Sequence, residues 1–148
     1  VEMHFMGAGD GVATTVVYMP WEGIVFTADL YEDKRLTAAL FLEDSNMLGV
    51  RRILNRIGQW PIKHAVTAHS LSSDPQILRD NIRYMNDLYD AVYPPIAKAA
   101  ASDNPFAIYG LLDSLPDTVT LEDYADWDGY EHIPSYVRRM ALSIIHGG

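Results

Sequence analysis

The chain has 148 residues, 49% of them hydrophobic and 21% charged, which is the length and composition of one globular domain rather than of a disordered segment. A net charge of −9, from 11 basic and 20 acidic residues, argues against nucleic-acid or anionic-membrane partners and suits a solvated acidic surface or one that holds divalent cations. With no cysteine, disulfides, thiolate catalysis and Cys-based metal sites are excluded; no signal-peptide pattern and no apolar run near the ~20 residues of a membrane span are visible, so the cytoplasm is the expected location.

The predicted elements begin with a weakly alternating strand over Val1 to Met6. A glycine-rich loop, Gly7-Ala8-Gly9-Asp10-Gly11, follows it. Thr14 to Met19 and Gly23 to Thr27 are β-branched and aromatic runs around Pro20-Trp21-Glu22, the pattern of a hairpin. Ala38 to Leu42 is apolar but too short to assign by period. A helix is predicted from Asn46 to Ile57, with Met47, Val50, Ile53, Leu54 and Ile57 on one face, Ser45 as N-cap and Gly58 as the stop. A strand over Ile62 to Thr67 comes next.

Asp74-Pro75 opens a long helix, in which Ile77, Leu78, Ile82, Met85, Leu88, Tyr89 and Val92 keep helical spacing. Pro94-Pro95 should end or kink it, with a loop from Ala97 to Asp103. Asn104-Pro105 opens a short helix, Thr120 to Asp123 resembles a capping motif, and Pro134 opens the last helix. That helix has a clean apolar face from Ile133 through Val137 and Ala141 to Ile145, and Gly147 lies beyond its end.

Three residues stand just past predicted strands: Asp10, Asp29 and His69. Carboxylate plus imidazole suits zinc, iron or manganese. On spacing alone a loop Asp is more often a cap or turn residue, and a lone His a partly exposed one. His4 could face the same end as Asp10, and His64 reads as a structural or exposed residue. Arg51-Arg52 and Arg138-Arg139 read as solvated edges of amphipathic helices. No nucleophile elbow, phosphate loop or dinucleotide fingerprint occurs, and catalytic residues stay unassigned.

The order of these features resembles the second half of a metallo-β-lactamase-fold domain, over roughly Val1 to Val92. In that superfamily a strand ending in a Phe-Thr-Gly-Asp-like segment supplies a metal-bridging carboxylate; here the segment reads Phe26-Thr27-Ala28-Asp29. A later strand ends in a Pro-Gly-His-like segment, matched by Thr67-Ala68-His69-Ser70. The family's Gly-x-x-His-x-x-Gly falls on Gly7 to Ala13, so Asp10 stands where the family has His. The family's His-x-His-x-Asp-His motif occurs nowhere among the five histidines, His4, His64, His69, His132 and His146.

The resemblance implies an α/β fold that is half of an αββα sandwich, a mixed sheet covered by helices on one face. It implies a single domain over 1–148, with 1–92 as the C-terminal half of the family fold and 93–148 as peripheral helices. The uncovered sheet face implies a homodimer or an N-terminal-half partner, while the acidic charge leaves nucleic acid and membrane out. Asp10, Asp29 and His69 would be the metal ligands, for zinc or else iron or manganese. A metal-bound hydroxide is not expected from so few ligands in a lone monomer. The chain is therefore expected to be a truncated, dimeric binding or structural protein with a residual metal site. The alternative is a metal-dependent hydrolase, or a subunit of one, completed by a partner chain or by an N-terminal half.

Overall fold

The computed structural model describes residues 1–104 and 106–147. Four strands form one mixed sheet in the order β1 (Glu2–Gly7), β2 (Thr14–Met19), β3 (Ile24–Phe26) and β4 (His64–Val66). β1, β2 and β3 are successive antiparallel neighbours, and β4 joins β3 in parallel. The expected hairpin is therefore present. Its turn ends at Gly23, which has φ +69° and lies against the Pro61 carbonyl where a Cβ would not fit. The fourth strand is shorter at both ends than the Ile62 to Thr67 run.

Directly opposed residues share a sheet face, so the register separates two surfaces. Val16, Tyr18, Val25 and Ala65 point inward and are buried. Helices α1 (Met47–Ile57), α2 (Pro75–Ala100) and α4 (Ile133–His146) lie on this side, and α3 (Ala107–Thr118) packs against α2 and α4. Ile53, Leu54 and Ile57 of α1, Leu88 and Val92 of α2, and Val137, Met140 and Ala141 of α4 join the sheet residues in one core. Fully burying each such aliphatic side chain contributes on the order of 1.5–3 kcal/mol.

The opposite face is apolar and uncovered. Met3, Val17, Phe26 and Val66 lie in register across all four strands, with Phe5 beside Met3 on β1 and Met19 opposite Ile24. Met3 is 75% exposed and Phe5 71%.

Several local expectations are corrected. Asn46, not Ser45, caps α1: its Oδ1 accepts from the Gly49 N–H at 2.8 Å, while Ser45 is buried and turned elsewhere. α2 begins on the expected Asp74 cap, whose Oδ1 accepts from Gln76 N at 2.7 Å, but Pro94-Pro95 does not end it. Two missing N–H donors are outweighed there by the buried Val92 and Ile96 on either side, so the helix takes in part of the loop expected from Ala97. Ala39–Leu42 is a 3₁₀ turn. Thr120 caps nothing: Leu121, at φ +50°, precedes a single 3₁₀ turn over Glu122–Tyr124 with no side-chain cap. Pro105 lies outside the described residues. No helix among those described is long and apolar enough to cross a membrane.

Candidate functional site

Strand direction gathers the three residues singled out by sequence. β1 and β3 each run antiparallel to β2, and β4 runs with β3, so β1, β3 and β4 all end at the same edge of the sheet. The loops that leave this edge carry Asp10, Asp29 and His69.

Asp29 and His69 are set side by side by their backbones. The ladder continues past the strands: Thr27 N–H donates to the Val66 carbonyl at 3.2 Å, and Ala68 N–H to the Ala28 carbonyl at 3.0 Å. Ala28 sits at φ +52°, a left-handed conformation that turns the chain just before Asp29. The His69 N–H donates to Thr67 Oγ1 at 3.3 Å. The outcome is His69 Nε2 at 2.9 Å from Asp29 Oδ1, with both side chains more than half exposed.

Asp10 is held by α1 and α4. Gly9, whose carbonyl accepts from Asn46 N–H at 2.7 Å, is packed too tightly against Thr14 and Ile53 for a Cβ. Gly49 on α1 likewise lies directly against the Ala8 carbonyl. Arg52 donates to the Met6 and Ala8 carbonyls at 3.2 and 3.3 Å. The Ser45 hydroxyl donates to the Asp10 carbonyl and Oδ1 at 3.3 and 3.4 Å, and Arg139 Nε donates to the Ser45 carbonyl.

Arg52, exposed as a solvated helix edge would be, also ties down this loop; Arg139 holds Ser45, and Ser45 positions Asp10 rather than capping a helix. A guanidinium donor satisfying loop carbonyls leaves no periodic signal in a sequence. The Asp10 carboxyl is pushed above its ordinary pKa, first by partial burial at the mouth of a pocket, then by the charge of Asp29; the Ser45 hydrogen bond opposes both.

The other histidines lie elsewhere. His4 is on the inward sheet face, 4.7 Å from the Trp60 ring and 2.8 Å from Glu2 Oε2, away from Asp10. His64 is exposed, with Nδ1 3.3 Å from Ser73 Oγ.

A carboxylate paired with an imidazole can orient the ring, hold a proton between them, or present two donors to a divalent ion. A catalytic zinc ion takes three protein ligands and keeps an open position. Among the described residues no three His, Asp or Glu converge closely enough to hold an ion.

No family model matches the sequence. No curated protein matches it either. Among solved structures, a metallo-β-lactamase from Pontibacter korlensis is similar at a TM-score of 0.51 and 24% identity, over 58% of this chain and 41% of that one. The chain thus matches about two-fifths of that protein's length, and the likeness is one of fold. With its mixed four-stranded sheet, four helices and this neighbour, the chain carries a partial metallo-β-lactamase-like fold.

Proposed function

We propose that the chain works as one half of a metallo-β-lactamase-like sandwich, a dimeric binding or structural protein whose outer sheet face is covered by a second copy. The observation that supports this is the aligned row of Met3, Val17, Phe26 and Val66, with Phe5 beside it, on a face no helix covers. A contiguous apolar patch of this kind marks an interaction surface. Two-fold pairing would cover it with the same residues from the other copy.

A second reading has its own support. The Asp29–His69 pair, 2.9 Å apart at the sheet edge that also carries Asp10, supplies two donors of a divalent ion site that a partner chain or an N-terminal half would complete. Two ligands of a tetrahedral zinc ion with ordinary bond lengths stand about 3.3 Å apart, so the pair needs little adjustment. In that reading the chain is a subunit of a metal-dependent hydrolase.

Metal analysis of protein purified without chelator separates the two. A folded dimer free of zinc, iron and manganese supports the first reading. Close to one equivalent per chain, lost in Asp29→Ala and in His69→Ala, supports the second.

A further inference from the structure

Behind Asp10 and Asp29 a pocket of about 60 Å³ runs inward between the loop that follows β3 and helices α1, α2 and α4. Room on this scale takes a group of about four heavy atoms. Its walls carry polar groups that the core leaves unanswered. Tyr84 is only 2% exposed and Glu32 8%, yet among the described residues the Tyr84 hydroxyl and Glu32 Oε2 find no hydrogen-bond partner. The Tyr31 hydroxyl, also buried, has only Thr27 beside it and makes no well-formed hydrogen bond.

A buried polar group without a partner costs about 1–3 kcal/mol, so Tyr84 and Glu32 around one pocket point to something that answers them. Arg35 approaches Glu32 Oε2 only at 3.5 Å and is shared with Asp128 at the same distance. Asn81 Nδ2 on α2 donates to the Glu32 carbonyl at 2.7 Å and holds the main chain at this wall.

Charge decides what the occupant is. Asp10, Asp29 and Glu32 line the pocket against the single guanidinium of Arg35. The Tyr136 hydroxyl is pushed above its ordinary pKa first by burial, which its hydrogen bonds with Thr37 oppose and the charges of Glu32 and Asp10 reinforce. An anion or a purely apolar group would be repelled or would leave the acceptors unsatisfied. An ammonium head offers a positive charge and several N–H donors in a small volume, suited to a carboxylate oxygen and two hydroxyl oxygens.

We propose that this pocket binds the head group of a small primary amine, held by Glu32 with the Tyr31 and Tyr84 hydroxyls and entering past Asp10 and Asp29. The site goes beyond the proposed pairing and metal roles, since it needs neither a second copy nor His69.

The test is an NMR titration of the whole chain with ethylammonium chloride, at constant ionic strength, against tetramethylammonium, sodium and ethanol. Three heavy atoms limit the affinity to about millimolar. Saturable shifts at Tyr31, Glu32 and Tyr84 with ethylammonium, absent with the other three, are expected. Glu32→Gln should weaken binding about tenfold or more, and Tyr84→Phe, which keeps the ring, should weaken it by a smaller factor. His69→Ala should leave it unchanged, so failure of the metal reading and failure of the amine site are told apart. Equal responses to ethylammonium and to tetramethylammonium or ethanol, no saturable shift, or full binding by folded Glu32→Gln would overturn the proposal.

Discussion

Single residues at the sheet edge divide into those that hold the loops in shape and those left exposed. Ala28 belongs to the first kind. Its φ of +52° is a conformation that costs a residue with a Cβ about 1–2 kcal/mol, offset in part by the lower chain entropy that Ala loses on folding. Ala28→Gly should therefore raise stability by about 0.5–1 kcal/mol in urea unfolding; a lower midpoint would show that the turn carries no strain. Asp29 and His69 belong to the second kind. Being more than half exposed, their pair should contribute at most about 1 kcal/mol, and Asp29→Ala and His69→Ala should unfold near the wild-type midpoint. A large loss in either variant would make the pair a structural tie. Both residues were legible because each follows a strand pattern directly. The residues around Asp10 were not: Ser45 precedes a helix as a cap would, and Arg52 and Arg139 occupy helix positions that solvated arginines also occupy.

At the scale of elements, α1 is what fixes the Asp10 loop in place. Its Gly49 lies so close to the Ala8 carbonyl that a methyl group would force helix and loop apart. Gly49→Ala should cost about 1–3 kcal/mol despite the better helix propensity of Ala, whereas Asn46→Ala should cost about 1 kcal/mol through the lost cap. Thermal unfolding of the two variants checks the order; a neutral Gly49→Ala would mean that the loop moves aside freely. Helices α1, α2 and α4 were legible because a period of 3.6 runs over many residues, and the hairpin because two β-branched and aromatic runs flank a short turn. Pro94-Pro95 and Thr120 to Asp123 misled for one reason. Each is a local signal, the second weakened by Asp in place of Glu or Gln; tertiary burial overrode an end at the first, while a left-handed Leu121 displaced the second. Gly49 carried no sign of its role, since a backbone contact with a distant loop leaves no trace at neighbouring positions.

For the whole molecule the governing fact is an asymmetry of the sheet. One face is packed by helices into a continuous core; the other presents Met3, Phe5 and Phe26 to solvent. The uncovered face was foreseen from strands apolar on both sides. What covers it follows from the proposed pairing, in which the outer face of one copy meets that of another. The most direct test is sedimentation equilibrium of the chain at micromolar concentration, beside Phe5→Asp, which places a charge at the centre of the exposed β1 surface. The account predicts twice the chain mass of 16.6 kDa for the parent chain, and a folded monomer for the variant with unchanged circular dichroism. A parent chain that sediments as a stable, monodisperse monomer, or a variant that still pairs as tightly, would contradict it.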